Sequence, residues 1–522
     1  MLKYALALRT IKHLILDRCF VRPIGDGAEA EAALDLIMET VSVLDYDCDY
    51  LPGAGITQVT NDSRQVKSDS IFAAIPGATV NGEKFAIQAQ NNGAKVLISE
   101  HSLESVLQPG RVNLLVKNAY TAYALLCEAF HDFPAGKLCC LAVTGTNGKT
   151  TTAMLTRTLL QQANQKCGMI STVEYDLGAM EKLVADRTTP EAGRLFDFFD
   201  RMVKNQQQSM IMEVSSHALH QNRIGNLRFQ GAVFTNLTGD HLDYHGTMEE
   251  YYQVKKRLFT KHLADNATAV INCDDAYGLR LSQELPPAVK AVTFGRKHGA
   301  WRISNEVLSH CGSSFTLSNA DCSRTFCCNL NGMHNIYNLA GTVLLLDALK
   351  LLSLEDSAAI LQNTPIAVPG RLERFDLPDA ITAFVDYAHT HDALSNVLSS
   401  LKALDFKRII TVFGAGGDRD KSKRPLMGKA AADQSDVIIL TSDNPRSEDP
   451  MQIIDEIRSG IPENFPQLVI EPDRHQAITL AIKMAAAGDA LLIAGKGHEN
   501  YQIINGTTHH FDDREVLREF QL

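Results

Sequence analysis

The 522-residue chain contains no apolar stretch long enough to cross a membrane. Its first twenty residues are apolar but are interrupted by charges such as Lys3, Arg9 and Lys12. The uncharged segment from Tyr4 to Leu8 is too short for the core of a signal peptide. We therefore expect a cytoplasmic protein with no membrane insertion.

Cysteine spacing and net charge argue against two further classes of protein. The eleven cysteines are odd in number and include no Cys-x-x-Cys pair, which favours reduced thiols over disulfides or a zinc site. The net charge of −11 comes without a basic stripe, so no nucleic-acid partner is expected. A single loop can still concentrate positive potential, so this charge is compatible with binding of a small anion.

Helical patterns alternate with short apolar strands, which predicts an α/β fold with parallel sheets. The length suggests about three domains. We predict a helical N-terminal extension without an assigned role, followed by three domains, at residues 1–45, 46–136, 137–368 and 369–522. The first domain is predicted to be α/β, the central one a P-loop ATPase-like parallel-sheet domain, and the last Rossmann-like.

Residues 143–151, Val-Thr-Gly-Thr-Asn-Gly-Lys-Thr-Thr, predict a phosphate-binding turn. An apolar strand precedes them and a helical pattern follows, so the turn lies at a helix N-terminus with its N–H groups pointing inward. Lys149 adds positive charge, and Thr150 adds a hydroxyl of the kind that holds Mg²⁺. Gly-Lys-Thr also occurs by chance in surface turns, but the strand and helix around it favour nucleotide binding.

Polar residues also follow other strands of the central domain. A strand predicted at residues 209–217 carries Glu213 near its carboxyl end, where open α/β sheets bind ligands. Loop 237–246 holds two histidines and two aspartates, which could bind Mg²⁺ or form a solvated loop. Asn335 and Asn338 share a helix face and could contact a base edge or act as caps.

Four predicted strands of the C-terminal domain end in polar or glycine-rich segments, which we expect to form one crevice. These segments are residues 387–389, 414–420, 442–446 and 495–499. The glycines at 414–417 lack the spacing of a dinucleotide fingerprint, so they indicate a tight turn and argue against a dehydrogenase. In the first domain, residues 62–64 could contact a ligand or cap a turn.

Six separated motifs occur in an order that resembles the Mur ligases, the ATP-dependent amide-forming enzymes of peptidoglycan precursor synthesis. They lie at residues 145–151, 213–217, 240–246, 334–338, 370–374 and 386–389, and the resemblance covers the chain from about residue 56 onward. Residues 441–450 are similar to the diaminopimelate-adding members, because lysine-adding relatives tend to lack the arginine found at Arg446. The resemblance implies ATP, Mg²⁺, UDP-N-acetylmuramoyl-L-alanyl-D-glutamate as acceptor and meso-diaminopimelate as amine. We expect a monomer.

The resemblance also implies a role for each matching residue. The catalytic group is Lys149, Glu213, His241 and Lys255, with Lys255 carbamylated so that it presents an anion. The metal ligands are Thr150, Glu213, His241 and Lys255. ATP would contact Gly145, Thr146, Asn147, Gly148, Lys149, Thr150, Thr151, Asn335, Asn338, Arg371 and Asp386. The UDP-sugar dipeptide would contact Asn61, Ser63, Ala78, Thr79, Val80, Thr188, Thr189, Ser215, Gln221 and Arg223. Diaminopimelate would contact Arg419, Asp443, Asn444, Pro445, Arg446, Gly495 and Glu499.

Three residues depart from the family pattern. Arg187 stands where asparagine is usual, His391 where proline is usual, and Ala415 where cysteine is common. The first change puts one acceptor contact in question, and the second predicts a looser turn.

The alternative functions are those of a related ligase that uses L-lysine, a folylpolyglutamate-type ligase, or a regulatory module that hydrolyses ATP without ligation. The polar strand ends of the C-terminal domain argue against the regulatory module.

Overall fold

The computed structural model describes residues 20–24, 56–77, 80–309 and 312–521. These residues form successive sheets covered by helices, which confirms the predicted α/β fold. Short 3₁₀ turns connect several elements, at Gly82–Phe85, Glu104–Val106, Pro134–Lys137 and Pro378–Ala380. Among the described residues, no helix is long and apolar enough to span a membrane.

The first sheet comprises β1 (Phe20–Ile24), β2 (Gln58–Thr60), β3 (Ser70–Ala73), β4 (Ala94–Ser99) and β5 (Val112–Val116), with helices α1 (Ala86–Asn91) and α2 (Ala119–Phe130). Its order is β1-β5-β4-β3-β2, and only β1 runs antiparallel to its neighbour. The prediction of a helical extension is therefore wrong at β1, because these residues pair with the edge of the sheet. The remainder of residues 1–45 lies outside the described residues.

The central sheet is the largest of the described sheets. Its strands are β6 (Cys139–Thr144), β7 (Cys167–Ile170), β8 (Glu174–Asp176), β9 (Lys182–Val184), β10 (Ser209–Glu213), β11 (Phe229–Phe234), β12 (Leu263–Asn272), β13 (Lys290–Gly295), β14 (Trp301–Ser309), β15 (Gly312–Ser318) and β16 (Ser323–Cys328). Their order is β16-β15-β14-β13-β12-β11-β6-β10-β7-β8-β9. Pairs from β14 to β7 are parallel, whereas both edges are antiparallel.

Helices cover this sheet and follow the strands that carry polar ends. They are α3 (Lys149–Gln162), α4 (Ala192–Lys204), α5 (Ser216–His220), α6 (Leu242–His245), α7 (Met248–Lys261), α8 (Ala276–Gln283), α9 (Met333–Ala348) and α10 (Leu354–Asn363). The strand predicted at residues 209–217 ends earlier, at Glu213, and α5 begins at Ser216. The strand does not extend to Ser215, because the side chain of this residue caps α5 by accepting from the Ala218 N–H.

The C-terminal sheet consists of β17 (Glu373–Leu377), β18 (Ile381–Asp386), β19 (Ile409–Phe413), β20 (Val437–Leu440), β21 (Leu468–Ile470) and β22 (Ala490–Ala494). Its order is β17-β18-β22-β19-β20-β21, with an antiparallel edge at β17. The helices are α11 (His391–Lys402), α12 (Lys423–Ala432), α13 (Pro450–Arg458), α14 (Arg474–Met484) and α15 (Asp513–Arg518), and β23 (Tyr501–Ile504) pairs with β24 (Thr507–His510). The four strands with polar ends, β18, β22, β19 and β20, are adjacent.

Alternation along β6 builds two cores at once. Leu141 and Val143 pack into one apolar cluster, whereas Cys140 and Ala142 face the cluster on the opposite side of the sheet. All four side chains are buried, and burying one Leu or Val side chain contributes about 1.5–3 kcal/mol. The strand is therefore fixed from both faces, and its carboxyl end is held firmly where the phosphate-binding turn begins.

Candidate active site

The phosphate-binding turn connects β6 to α3, as predicted. Gly148 precedes the helix with a φ of 87°, a backbone conformation that L side chains rarely adopt. A Cβ atom there would lie 2.3 Å from Asn338 Oδ1, so this position also lacks room for a side chain. The first N–H groups of α3 therefore point into the turn, where an anion can be bound.

Two lysines meet at this turn, the buried Lys255 and the partly exposed Lys149. Lys149 Nζ donates to the carbonyl oxygens of Gly145 at 3.0 Å and Thr146 at 2.7 Å. Lys255 Nζ, from α7, donates to the same Gly145 oxygen at 2.9 Å and approaches Thr144 Oγ1 at 3.4 Å. Burial lowers the pKa of both lysines, and for Lys255 the nearby Lys149 lowers the pKa further. Both amines are therefore closer to their neutral form than an exposed lysine.

A cavity of about 680 Å³ opens beside the turn, between the central and C-terminal sheets. Residues predicted to bind ATP line it: Thr146, Asn147, Gly148, Lys149, Thr150, Thr151, Asn338, Arg371 and Asp386. Arg371 reaches across and donates to Thr150 Oγ1 at 3.3 Å. The cavity thus joins the turn to the segment that leads into the C-terminal sheet.

The two asparagines of α9 differ in placement. Asn338 lines the cavity, and its Nδ2 donates to Asn335 Oδ1 at 3.3 Å. Asn335 is buried and donates to the carbonyl of Asn331, so it supports Asn338. Neither caps the helix, which begins after Gly332 without a side-chain cap.

Asp386 lies at the end of β18. It accepts from the N–H groups of Leu372 at 2.7 Å and Ala388 at 2.8 Å. Burial raises the pKa of this carboxyl, while the nearby Arg371 guanidinium opposes the shift. The carboxyl therefore organises the backbone around Arg371 and also faces the cavity.

Glu213 and Thr150 offer oxygen atoms of the kind that Mg²⁺ prefers, and both line the cavity. Lys255 as an ammonium would repel a cation and fits as a ligand only if it is carbamylated. His241 also lines the cavity, with Asp240 Oδ2 at 3.4 Å and the His217 ring at 5.0 Å. In the described part of the chain, no three His, Cys, Asp or Glu side chains cluster closely enough to hold a metal. Hydroxyl and carboxylate oxygens therefore form the part of the donor set that fits Mg²⁺.

The residues predicted for the muramoyl-peptide end form one connected group. Thr189 Oγ1 contacts the Glu213 carbonyl at 2.9 Å and Ser215 Oγ at 3.2 Å. Arg223 donates to the Thr189 carbonyl at 3.1 Å and to Gln221 Oε1 at 2.8 Å. Thr188 lines the cavity on the same side. This arrangement connects the Arg223 guanidinium, through Thr189, to the end of β10 at Glu213.

The residues predicted for the UDP-sugar lie on the first sheet. Ser63 Oγ donates to Gln88 Oε1 at 2.8 Å, and Asn61 is partly exposed nearby in sequence. Asp62 accepts from the backbone and side chain of Arg64, which matches the turn-capping interpretation of residues 62–64. Val80 is exposed, whereas Ala78 and Thr79 lie outside the described residues.

Two of the three departures from the family pattern have a visible structural consequence. Arg187 turns to Glu191, with which it forms an ion pair, and its side chain is half exposed. His391 is the first residue of α11, and Thr390 caps that helix by accepting from the Ala393 N–H at 3.3 Å. The turn before α11 is therefore held by a cap even without proline.

The residues predicted for diaminopimelate gather at the carboxyl ends of β19, β20 and β22. Asn444 Nδ2 donates to Glu499 Oε2 at 2.8 Å, and Arg446 donates to the Gly417 carbonyl at 2.6 Å. Asp443 is buried, and burial together with Asp443 raises the pKa of Glu499. The remaining predicted contacts are the buried Pro445 and Gly495 and the exposed Arg419. These strand ends, called the amine crevice below, therefore carry carboxylates and guanidinium groups, the two signs of charge that a zwitterion also carries.

Two buried arginines beneath these strand ends form ion pairs that no sequence pattern revealed. Arg424 binds Glu448 at 2.9 Å and donates to the Gly416 carbonyl at 3.1 Å, which fixes the glycine-rich turn. Arg474 binds Asp513 at 2.7 Å and donates to the carbonyls of Ser442 and Ala494, the residues just before Asp443 and Gly495. Both pairs join residues far apart in the chain, so spacing alone could not indicate them.

Family models and known proteins agree with this geometry. Three models match in order: "Mur ligase family, catalytic domain" at residues 55–131, "Mur ligase middle domain" at 143–346, and "Mur ligase, glutamate ligase domain" at 370–497. The chain belongs to the Mur ligase family.

The similar relatives include particular enzymes of that family. The chain is 42% identical over 466 residues to the UDP-N-acetylmuramoyl-L-alanyl-D-glutamate–2,6-diaminopimelate ligase of Solibacter usitatus, covering 89% of this chain and 93% of that protein. The enzyme of the same name from Lawsonia intracellularis is 40% identical, with 88% and 94% covered. A solved structure of a ligase with this name has a TM-score of 0.63 and 34% identity, covering 92% and 97% of the two chains. MurF from Acinetobacter baumannii, at 18% identity and a TM-score of 0.60, shares the fold.

Proposed function

We propose that this Mur ligase joins meso-diaminopimelate to the D-glutamate γ-carboxylate of UDP-N-acetylmuramoyl-L-alanyl-D-glutamate, at the expense of ATP. Relatives with about 40% identity over most of the chain carry that activity in their names. The observation that supports it most directly is that Asp443, Arg446 and Glu499 are gathered at the carboxyl ends of neighbouring strands. We assign the acceptor to residues 46–136, ATP to 137–368 and the amine to 369–522.

The reaction needs activation because a carboxylate does not acylate an amine at neutral pH. Transfer of the γ-phosphoryl group from ATP to the acceptor carboxylate gives an acyl phosphate and ADP. The neutral amine then attacks the acyl carbon, the C–O bond to phosphate breaks, and amide, phosphate and a proton are released. Phosphoryl transfer depends on positioning and charge neutralisation, which Lys149, the N-terminus of α3 and Arg371 supply from this chain.

Mg²⁺ would be held by Thr150 and Glu213, with His241 beside them, and when bound it would neutralise charge on the phosphate oxygens. The chain itself positions these donors. Arg371 contacts Thr150, and Thr172 holds both oxygens of Glu213. Neither donor therefore depends on a flexible surface side chain.

We infer that Lys255 is carbamylated in the active enzyme. Its lowered pKa leaves more of the neutral amine available to attack carbon dioxide, which forms an N–C bond and a carboxylate while a proton is lost. The product exchanges a cation for an anion next to Lys149, where two ammonium groups otherwise face the same carbonyl oxygen. The removal of this repulsion favours the carbamate.

Selection of diaminopimelate over L-lysine requires recognition of one additional carboxylate. Arg446 offers a planar, forked partner for it, and its position is fixed by Gly417 and by the exchange of backbone hydrogen bonds with Ile503 and Asn505. A site built around such a group discriminates against a substrate that leaves it unpaired. This residue favours diaminopimelate over the lysine-using alternative.

An assay with the UDP-dipeptide and ATP tests this function by offering diaminopimelate, L-lysine and L-glutamate separately. We expect ADP release that depends on diaminopimelate and is much weaker with the other two amines. Preference for L-lysine would identify the lysine-using ligase, and ADP release independent of any amine would contradict ligation.

We further expect the enzyme to be a monomer in the cytoplasm, which gel filtration and cell fractionation would test.

A further inference from the structure

The hairpin formed by β23 and β24 follows the strand end at residues 495–499 and contacts the amine crevice. Its strands are joined at Asn505 and Gly506, whose φ values of 50° and 75° are the two positive angles that a hairpin turn of type I′ requires. One edge of β23 pairs with β24, which is exposed along its length. At the other edge, a parallel bridge joins Ile504 to Arg446. The hairpin thus extends strand pairing to the segment at residues 443–446, which carries predicted amine contacts.

The backbone of β23 and of the turn orients two of these predicted contacts. The Ile503 N–H donates to Asn444 Oδ1 at 3.0 Å, and the other end of that amide, Nδ2, donates to Glu499 Oε2 at 2.8 Å. The Ile503 carbonyl accepts from the Arg446 N–H at 2.9 Å, and the Asn505 N–H donates to the Arg446 carbonyl at 2.7 Å. Arg446 has a φ of 54°, a conformation that residues with a side chain adopt infrequently. The hairpin therefore holds Arg446 in a backbone conformation that this residue does not favour by itself.

Gln502 fastens β23 to the beginning of the same segment. Its side chain is buried, and Nε2 donates to the Asp443 carbonyl at 2.7 Å. The preceding residue, Tyr501, presents its carbonyl to the buried Lys496 Nζ, which lies 3.3 Å from Glu499 Oε2. Consecutive residues of β23 thus contact the amine crevice, and the contact made by Gln502 uses a side chain that can be changed while the backbone groups are kept.

We propose that Gln502 is a positioning residue for recognition of diaminopimelate, and that it acts by holding β23 against the segment that carries Asn444 and Arg446. While the bond from Gln502 is present, the N–H and carbonyl of Ile503 lie where they can orient both residues. Loss of this buried bond weakens the pairing of β23 with the segment, so Arg446 is held less firmly. Selection of diaminopimelate over L-lysine therefore depends on the hairpin as well as on Arg446. This inference rests on the proposed function of the amine crevice.

Gln502→Met tests this role, because it keeps the length of the side chain and removes the amide donor. The matched control is Gln90→Met in α1, because Gln90 is also a buried glutamine and its amide donates to the backbone carbonyls of Ala86 at 3.2 Å and Val106 at 3.1 Å. A third protein combines Gln502→Met with Arg446→Ala. If Gln502 acts through Arg446, the two substitutions affect one network and their effects do not add.

The first measurement is kcat/KM for meso-diaminopimelate and for L-lysine, with saturating ATP and UDP-dipeptide. In Gln502→Met, we expect the ratio of the two values to fall about tenfold, as for loss of one hydrogen bond, mainly through a higher KM for diaminopimelate. The KM for ATP should be unchanged. Gln90→Met should keep the ratio of the unaltered protein. In the Arg446→Ala background, Gln502→Met should lower the ratio no further.

The second measurement is amide hydrogen exchange in the protein without substrates. The amides of Arg446 and Asn505 form the bonds between the hairpin and the segment. They should exchange faster in Gln502→Met than in Gln90→Met or the unaltered protein, because local opening of this pairing then costs less free energy. Exchange therefore reports the positioning of Arg446 independently of turnover.

Two results would overturn the proposal. One is exchange of these amides at the same rate in Gln502→Met and Gln90→Met. The other is a ratio of diaminopimelate to L-lysine use that is unchanged in Gln502→Met, or that falls equally with and without Arg446. Absence of diaminopimelate-dependent ADP release from the unaltered protein would contradict the proposed function and, with it, the role in recognition. Amide exchange would still show in that case whether Gln502 holds Arg446.

Discussion

At the central sheet, Lys149 and Lys255 meet at the phosphate-binding turn and the N-terminus of α3, and Arg371 reaches this turn from the segment before the C-terminal sheet. At the C-terminal sheet, the strand ends bring together Asp443 and Glu499 with Arg446. The topology is the same in both places, because parallel strands deliver their carboxyl ends to one edge. The phosphate-binding turn gathers positive charge for a phosphate chain, whereas the amine crevice carries both signs of charge, as an amino acid does.

This comparison also explains how each site is held in place. Backbone carbonyls of the turn hold the lysines of the central site, so no carboxylate partner is needed to position them. The C-terminal site is held from below by the Arg424–Glu448 and Arg474–Asp513 pairs. Removal of one partner from the fully buried Arg474–Asp513 pair costs about 3–5 kcal/mol, so the crevice depends on this long-range pair more than the turn depends on any such pair.

The largest effect is expected from Lys255→Ala at the central site. Turnover should fall by about a thousandfold, because an anion that organises the phosphoryl-transfer site is removed. Steady-state ADP release with saturating substrates measures the loss. Added formate or acetate should restore part of the activity by occupying the place of the carbamate.

Lys256→Ala is the matched control for this substitution, since Lys256 is the next residue of α7 and pairs with Glu284 at 2.8 Å. Its turnover should remain close to that of the unaltered enzyme. If Lys255→Ala also leaves turnover unchanged, the carbamate role is wrong. Loss of activity without rescue by any short carboxylate would argue for a positively charged role instead.

A smaller effect is expected from Arg446→Ala at the C-terminal site. The kcat/KM for diaminopimelate should fall by about a hundredfold while ATP binding is unchanged, because the loss affects only the carboxylate partner. Competition kinetics with L-lysine would show reduced discrimination. Arg458→Ala, at the exposed end of α13, serves as the control. Unchanged discrimination in Arg446→Ala would contradict the assignment.

The smallest effect concerns pH and Glu499. Its pKa is raised above the ordinary value of 4.5, so the carboxylate takes up a proton at a higher pH than an exposed glutamate. The charge that attracts the amine substrate is then lost as the pH falls toward this raised pKa, and KM for diaminopimelate should rise several-fold from neutral toward acid pH. In Glu499→Gln, KM should be high throughout, and this part of the pH dependence should disappear. A pH profile identical in both proteins would show that Glu499 does not face the amine.

Much of the central site follows from local sequence. The strand β6, the turn and α3 were predictable because an apolar run, two glycines and the beginning of a helical pattern follow one another within a few residues. The polar strand ends of the C-terminal domain were predictable for the same reason. The structure adds which strands are neighbours, because the position of β6 between β10 and β11 depends on contacts between distant segments.

The structure distinguishes neighbouring residues that the sequence could not, because only some of them are buried. Lys255, Lys256 and Arg257 are consecutive, and the sequence alone gives no physical reason to choose among them. In the structure Lys255 points to the turn and is 1% exposed, whereas Lys256 pairs with Glu284 at the surface of the helix. No sequence pattern marks Thr172, because its contacts with Glu213 and Thr188 join positions that are distant along the chain.

The Arg474–Asp513 pair makes the end of the chain part of the amine site. Asp513 is the first residue of α15, and both side chains of the pair are fully buried. A protein truncated before Asp513 would keep every strand of the C-terminal sheet but would leave a guanidinium enclosed without its counter-charge, directly beneath Asp443 and Gly495. Fusion partners and purification tags are therefore better tolerated beyond the final helix than in place of it.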